Sequence, residues 1–344
     1  MILFRCDASP EIGLGHLMRC LGLAQRFAAE GAQVRFVTRR DAGAERMLSR
    51  AGYATQWVAA NASLSEVCDA IRQAASEAAQ WCVIDAYEER QAQCAAAAEA
   101  GARVALIDDE GGDVSHAELL INPNLGAAPS WYPSSNGTRL LLGGAYAWVR
   151  DAFLAIRERG LKPIGAAHRV LVTLGGSDRL HRTLTILSGL ERLSSAVRAA
   201  VEIDVVLGPG YRDPDTVRQR AERFSGRCRV HESVEDMAEL MAQADLAISA
   251  SGTTLYELAC LGVPSLSVIV AKNQEPNAAA FAEQGMTRSL GLADRLDPPA
   301  IAAAVEGLIA DEAARRHLRE CALRAIDGRG AERIWRALNE VRVA

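Results

Sequence analysis

A loop containing two glycines and a histidine joins the first apolar strand of the chain to its first helix. Asp7 follows the strand, and Gly13 and Gly15 would let a ligand approach the backbone closely. His16 and Arg19 follow in the first turns of the helix. An imidazole there can take a proton from water near pH 7, since the positive helix end favours its neutral form. The loop predicts either a catalytic base or a plain turn with a surface histidine. It is not a dinucleotide fingerprint, because the third glycine is missing.

A second loop, Leu174-Gly175-Gly176-Ser177-Asp178, follows the first strand of the second half. Paired glycines after a strand suit a loop that wraps a phosphate or a sugar. The alternative is an ordinary strand-to-helix turn in which Asp178 caps the helix.

The third loop is the most informative, because it combines small polar residues with a helix start. Ser251, Gly252, Thr253 and Thr254 follow a strand, and their free amides and hydroxyls would hold a diphosphate without a metal. Glu257 lies about one turn further along, where a carboxylate can accept two hydrogen bonds from a ribose. The alternative is a helix cap followed by a solvated glutamate.

A fourth loop, Ala271 to Ala278, carries Asn273 and Gln274 at the end of another strand. Side-chain amides both donate and accept hydrogen bonds, so they can read sugar hydroxyls. A polar loop without a role is the alternative.

Other reactive side chains receive a plain interpretation. The remaining five histidines have no metal-ligand spacing, and Asp108-Asp109-Glu110 is at least as compatible with a solvated acidic turn as with a function. The eight cysteines include no Cys-x-x-Cys pair and lie mostly in apolar surroundings, which predicts buried thiols in a reducing compartment.

These loops must be positioned by an alternation of short β-branched runs and longer Ala-rich stretches of helical period. In the first half this pattern predicts strands at Ile2–Cys6, Val34–Thr38, Trp81–Asp85, Arg103–Ile107 and Leu119–Asn122. In the second half it predicts strands at Arg169–Leu174, Glu202–Leu207, Cys228–His231, Leu246–Ser249 and Ser265–Val270. Helices between successive strands indicate βαβ units, and hence an α/β protein with two parallel sheets.

The break between the halves is predicted at Gly160–Gly165, a stretch that also contains Pro163. The expected domains are therefore residues 1–160 with the histidine loop, residues 166–327 with the nucleotide-type loops, and a terminal helix within 328–344.

Composition excludes several functional classes. The 344 residues are 49% apolar and 24% charged, with a net charge of -5, so the chain is not of the disordered class. The sequence pI near 5.8 gives no basic footprint for nucleic acid. No apolar stretch reaches the ~20 residues that a bilayer span needs, and the charged first residues are unlike a signal peptide. A cytoplasmic protein that binds neither nucleic acid nor membrane is expected.

The histidine loop resembles one family closely. The run from Phe4 to Cys20, with Ile12-Gly13-Leu14-Gly15-His16 at its centre, is similar to the UDP-2,4-diacetamido-2,4,6-trideoxy-β-L-altropyranose hydrolases of pseudaminic acid synthesis. Supporting matches occur at Ile107-Asp108-Asp109, Asn124-Leu125-Gly126, Leu142 to Tyr146, Leu174 to Asp178, Ser251 to Thr254 and Lys272-Asn273-Gln274. The later motifs are shared with glycosyltransferases. The resemblance implies a GT-B-like architecture, in which two Rossmann-type domains face a central cleft.

The resemblance also implies roles, position by position. His16 matches the histidine proposed to activate water for inverting attack at the anomeric carbon, with UDP leaving. Tyr87 and Asn273 match residues that line the sugar and water site. Gly252 to Thr254 match the diphosphate-binding helix start, Glu257 the ribose-binding acid of similar transferases, and Val234 a backbone contact to uracil. Asp7, Gly13, Gly15, Arg19 and Gln274 complete the expected sugar site, and Gly175, Gly176 and Ser251 the nucleotide site.

One position departs from the family pattern, which usually reads Asp-His-Tyr where this chain has Asp85-Ala86-Tyr87. The expected reaction is hydrolysis of a UDP-sugar by a monomer, with no cofactor and no metal. A glycosyltransferase with the same donor site and a nucleotide-sugar-binding protein without turnover are the alternatives. The departure at Ala86 motivates the second of them.

Overall fold

The computed structural model describes residues 1–8, 15–133, 137–176, 178, 180–232, 234 and 236–340. The chain divides into two compact units. The first unit contains Met1–Trp148 and Arg329–Ala344, and the second contains Val149–Gly328.

A seven-stranded parallel sheet forms the centre of the first unit, in the order β3-β2-β1-β4-β5-β6-β7. Its strands are β1 (Ile2–Cys6), β2 (Val34–Arg39), β3 (Ala54–Val58), β4 (Trp81–Asp85), β5 (Arg103–Ile107), β6 (Leu119–Asn122) and β7 (Arg139–Leu142). Its helices are α1 (Gly15–Ala29), α2 (Ala42–Ala51), α3 (Leu64–Ser76) and α4 (Arg90–Glu99). Apolar clusters cover both faces of the sheet, as a parallel sheet requires.

A six-stranded parallel sheet forms the centre of the second unit, in the order β10-β9-β8-β11-β12-β13. Its strands are β8 (Arg169–Thr173), β9 (Glu202–Leu207), β10 (Arg227–Glu232), β11 (Leu246–Ala250), β12 (Ser265–Ile269) and β13 (Arg288–Leu292). Its helices are α5 (Asp151–Arg159), α6 (Arg182–Leu190), α7 (Ser195–Ala200), α8 (Pro214–Glu222), α9 (Met237–Gln243), α10 (Thr253–Cys260), α11 (Glu275–Glu283), α12 (Pro298–Ala310) and α13 (Glu312–Ala325).

The division between the units differs from the predicted one. Helix α5 packs on α9 and α10, so it belongs to the second unit, and the chain crosses after Trp148 rather than at Gly160–Gly165. The terminal helix α14 (Gly330–Glu340) is not separate. It buries Ile334 and Leu338 in the core beside α1 and thereby completes the first unit.

Local signals explain why several helices begin where they do. Ser63 and Glu66 form a reciprocal capping box at the start of α3, and Asp41 caps α2 by accepting hydrogen bonds from two backbone amides. Helix α2 ends at Gly52, whose φ of 74° suits glycine.

Each sheet has one point where the strand order reverses. In the first unit it lies between β1 and β4, and in the second between β8 and β11. Ligands of open α/β sheets bind beyond the carboxyl ends of such strands. The histidine loop follows β1, and the segment containing Ser251 to Thr254 follows β11. Among the helices described, none combines the length and apolar character that crossing a membrane requires.

Candidate active site

His16 lies where β1 and β4 end side by side. Cys6 and Asp85, the last residues of these strands, are partners in the parallel register, and α1 begins at Gly15. His16 is 7% exposed, and its Nδ1 lies 2.6 Å from Asp85 Oδ1. Among the described residues, no hydrogen bond is made by Nε2. Asp85 therefore orients the imidazole ring through Nδ1.

Asp85 is held ionised by its neighbours. It is 1% exposed, and burial alone would raise the pKa of its carboxyl. Arg19 and His16 overcome that effect and bring the pKa of Asp85 well below its usual range. Arg19 binds the carboxylate with two nitrogens, Nε at 2.5 Å and Nη2 at 2.6 Å, and Cys20 Sγ donates from 3.6 Å.

Arg19 also joins Asp85 to a second carboxylate. Its Nη1 donates to Asp109 Oδ2 at 2.6 Å. Burial disfavours the charge on Arg19, but Asp109 and Asp85 raise the pKa of the guanidinium well above its usual value. The sequence assigned Arg19 to substrate binding, whereas the structure places its guanidinium between two carboxylates of the first unit. We call His16, Arg19, Asp85 and Asp109 the His16 cluster.

Tyr87 lies against this cluster. Its ring meets the His16 ring edge-on, with centroids 4.5 Å apart and planes at 87°. The Tyr87 hydroxyl donates to Asp109 Oδ2 at 3.0 Å, and Asn124 Nδ2 donates to Asp109 Oδ1 at 3.3 Å. Ala86 packs against the apolar cluster that contains Ile84, on the other face of the sheet from Val83. The departure from the family pattern therefore leaves the His16 cluster intact.

The loop after β5 is anchored by Asp108, the residue that precedes Asp109. Asp108 is 1% exposed and binds Arg90, the amide of Gly111 at 2.7 Å and the Tyr132 hydroxyl at 2.7 Å. Asn122 Nδ2 donates to the same hydroxyl at 2.7 Å. Of the two consecutive carboxylates, Asp108 fixes the loop and Asp109 enters the His16 cluster.

Asp7, which was predicted to bind substrate, forms hydrogen bonds with two arginines of the first unit. Its carboxylate accepts two hydrogen bonds of 2.6 Å from the buried Arg5, and two more from the backbone and side chain of Arg39. An added Cβ at Gly15 would meet no atom of the described residues within 4 Å. Gly13 lies outside the described residues.

In the second unit, Gly175 and Gly176 follow β8 at the reversal point, and Gly175 has a φ of 84°. A Cβ on Gly208 would lie 2.4 Å from the carbonyl oxygens of both, so the loop after β9 packs directly on them. Asp178 accepts hydrogen bonds from the amides of Arg182 and Thr183, at 2.9 Å and 2.8 Å. It acts as a helix cap, which was the alternative interpretation.

The segment after β11 divides into buried and open parts. Ser251 is buried, and its hydroxyl and amide both donate to the Val268 carbonyl. Gly252 precedes α10, whose first residue Thr253 is exposed and whose second, Thr254, is half-buried. The start of α10 therefore presents backbone amides and hydroxyls, the donors that an anion needs.

Two residues that the sequence analysis did not select support this segment. Asn277 Nδ2 donates to the Ser251 carbonyl at 2.9 Å, and the Tyr256 hydroxyl donates to Asn277 Oδ1 at 2.5 Å. Gln274 Oε1 accepts from the Val270 amide, and its Nε2 would lie 3.3 Å from a Cβ on Gly252. The Gln274 side chain therefore stabilises the turn after β12 through its bond to the Val270 amide. Asn273 beside it is exposed.

Glu257 is paired with Arg150, another residue that the sequence analysis missed. Arg150 Nη2 and Nε lie 2.9 Å and 3.1 Å from Glu257 Oε1. Burial raises the pKa of Glu257 despite this pairing. Val234, between β10 and α9, is half-buried. In the described part of the chain, no group of three or more His, Cys, Asp or Glu side chains is placed to hold a metal ion.

Comparisons with known proteins identify the architecture. The Acinetobacter baumannii MurG structure superposes with a TM-score of 0.68 over 98% of this chain and 99% of that one, at 16% identity. The chain has the GT-B fold. Residues 169–326 match the glycosyltransferase family 28 C-terminal domain.

Two relatives extend the comparison to sequence. The spore coat polysaccharide biosynthesis protein SpsG of Bacillus subtilis is 29% identical over 71% of each chain. The UDP-2,4-diacetamido-2,4,6-trideoxy-beta-L-altropyranose hydrolase of Campylobacter jejuni is 23% identical over 83% of this chain and 97% of that protein. The GT-B chain is a homologue of that hydrolase, which confirms the resemblance predicted from the motifs.

Proposed function

We propose that this protein hydrolyses a UDP-linked 2,4-diacetamido-2,4,6-trideoxy hexose to UDP and the free sugar, with inversion, in pseudaminic acid synthesis. The observation that carries this proposal is the buried pair of His16 and Asp85, in a homologue of a UDP-sugar hydrolase. The pair provides an oriented base, which hydrolysis requires for activating water.

In the proposed step, Asp85 remains ionised and accepts a hydrogen bond from the Nδ1–H of His16, and Nε2 takes a proton from water to give the imidazolium. The water oxygen attacks the anomeric carbon while the bond between that carbon and the diphosphate oxygen breaks. The electron pair of that bond leaves with UDP. Attack from the face opposite the leaving group inverts the configuration, and Tyr87 and Asn273 are proposed to contact the sugar.

The second unit is proposed to bind the nucleotide. The open amides of α10, with Thr253 and Thr254, stabilise the charge that develops on the leaving diphosphate. Glu257 accepts hydrogen bonds from the ribose, and the backbone at Val234 contacts the uracil. Helix-end donors and hydroxyls then supply the stabilisation for which other enzymes use a metal.

A second candidate function is transfer of the sugar from the same UDP-linked donor to an acceptor hydroxyl. The match of residues 169–326 to a glycosyltransferase family favours it, since that region contains the proposed nucleotide site. Transfer predicts UDP release that depends on added acceptor, whereas hydrolysis predicts release in water alone.

The test follows UDP release from the bis-acetamido trideoxy UDP-sugar in EDTA, without acceptor, for the wild type and two variants. His16→Gln removes the base, and His116→Gln changes an exposed histidine of the same unit as a control. We expect at least a 100-fold loss of turnover in His16→Gln only, with UDP affinity within about threefold of wild type.

Each outcome leads to a different conclusion. In ¹⁸O-water, the label enters the sugar if the C–O bond breaks as proposed, and a label in the phosphate contradicts the mechanism. Unchanged turnover in His16→Gln rejects His16 as the base. Release only with acceptor establishes transfer, and tight binding without turnover establishes a binding protein.

A further inference from the structure

Asp109 links Arg19 of the His16 cluster to Tyr87 and Asn124. Its Oδ2 accepts from Arg19 Nη1 at 2.6 Å and from the Tyr87 hydroxyl at 3.0 Å, and its Oδ1 accepts from Asn124. Its side chain is 11% exposed. Asp109 therefore holds both the arginine that orients Asp85 and the ring that lies edge-on to His16.

The charges of the cluster do not cancel while the imidazole is neutral. Asp85 and Asp109 contribute two negative charges and Arg19 one positive charge, so the cluster carries one excess negative charge. Protonation of His16 brings the sum to zero. In a buried site, an arrangement that becomes neutral on taking a proton favours taking it.

Among the described residues of the first unit, the other groups near His16 do not alter this balance. Its own helix contributes Cys20, and β1 contributes Cys6, both buried thiols. Further along α1, Arg26 lies 3.9 Å from Glu332 of α14, and these two charges offset each other. Asp7 is bound by Arg5 and Arg39, and Asp108 by Arg90, in contacts separate from the cluster.

We propose that Asp109 is a positioning residue whose excess negative charge favours the protonated imidazole that forms when His16 accepts a proton. It does not touch the substrate and acts through Arg19, Tyr87 and the field at His16. This inference rests on the proposed function in one respect: only if the protein is a hydrolase does the proton taken up by His16 come from the attacking water. The charge balance around His16 can be tested by NMR whether or not the protein turns over a UDP-sugar.

The test replaces Asp109 with Asn, which keeps an acceptor for Arg19 and Tyr87 but removes the charge. Two midpoints are measured: the acidic limb of kcat/KM against pH, and the NMR titration of the His16 imidazole, assigned by its absence in His16→Gln. Removing a negative charge makes protonation of His16 harder. Both midpoints should therefore move to lower pH by about one unit.

Glu110→Gln is the matched control, because it removes the same charge from the exposed neighbouring residue. It should move either midpoint by less than about 0.2 pH units, since an exposed charge is screened. If Asp109→Asn does not fold, Asp109→Ser also removes the charge while keeping a hydroxyl acceptor, and should likewise move the midpoints to lower pH.

An unmoved midpoint in Asp109→Asn overturns the proposal, even if the variant melts at lower temperature. An equal shift in Glu110→Gln overturns it as well, because the effect would then be general. If no UDP-sugar is turned over, the NMR titration alone still decides the role of Asp109. Failure of the proposed function is thereby separated from failure of this inference.

Discussion

Replacing Asp85 with Asn changes the charge of the site while nearly preserving its shape. The carboxylate accepts from His16 Nδ1, from two nitrogens of Arg19 and from Cys20 Sγ. A carboxamide has one acceptor and one donor where the site offers only donors. The His16 ring must then move its proton to Nε2 or lose its hydrogen bond, and in both cases the oriented base is lost.

The expected loss of turnover is large, and the loss of nucleotide binding is small. In the Ser-His-Asp triad, the corresponding Asp→Asn change lowers kcat by about 10⁴ because it enforces the wrong tautomer. We expect a decrease of about 10³ to 10⁴ in kcat for Asp85→Asn. UDP affinity should stay within about threefold, since the proposed nucleotide contacts belong to the second unit.

Stability should fall in the same variant, with a recognisable dependence on pH. Breaking a buried ion pair costs about 3–5 kcal/mol, and Arg19 retains Asp109, so about 3 kcal/mol is expected. The pKa of Asp85 is lowered by folding, so its stabilisation is complete above about pH 5 and declines as the pH falls below about 4. The stability gap between wild type and variant should therefore narrow in acid.

The assay combines UDP release, UDP titration calorimetry and urea unfolding between pH 3 and pH 7. Glu110→Gln is the control, because it removes an exposed carboxylate of the same unit. A variant that keeps kcat within tenfold of wild type would refute the role given to the pair. A stability gap that widens in acid would refute the assigned charge state of Asp85.

Two further predictions concern the second unit. Folding raises the pKa of Glu257, so ionisation of this carboxyl destabilises the folded state as the pH rises above about 4.5. In urea unfolding, Glu257→Gln should therefore gain stability relative to wild type between pH 4 and pH 7. In calorimetry, the same variant should bind UDP about tenfold more weakly. Gly208→Ala places a Cβ 2.4 Å from the Gly175 and Gly176 carbonyls and should weaken UDP binding about tenfold, whereas Gly307→Ala, with open space around it, should not.

The sequence was most informative about the buried centre of each sheet. Trp81–Asp85 and Arg103–Ile107 have the predicted bounds because strands buried on both faces appear as continuous apolar runs. The edge strands Ala54–Val58 and Arg139–Leu142 were missed. Both are largely half-exposed and lack a long apolar run, so they have no such signal.

The candidate site was predictable only where its residues lie close together in sequence. His16 was found because a strand, two glycines and a helix start surround it. Its partner Asp85 lies 69 positions away, and Arg150 lies 107 positions from Glu257. Parallel pairing brings such residues together, and no local periodicity encodes that register. The available signal was the position of Asp85 as the last residue of an apolar strand.

The two units offer different electrostatic surroundings to a ligand. The His16 cluster carries one excess negative charge while its imidazole is neutral, which disfavours a diphosphate but not an uncharged sugar. The start of α10 presents amides and hydroxyls at the positive end of a helix, which favours a diphosphate. Because Arg19 is bound by Asp85 and Asp109, it does not provide a competing phosphate site beside the base. The His16 cluster therefore disfavours an anionic group in the first unit, and the start of α10 favours one in the second.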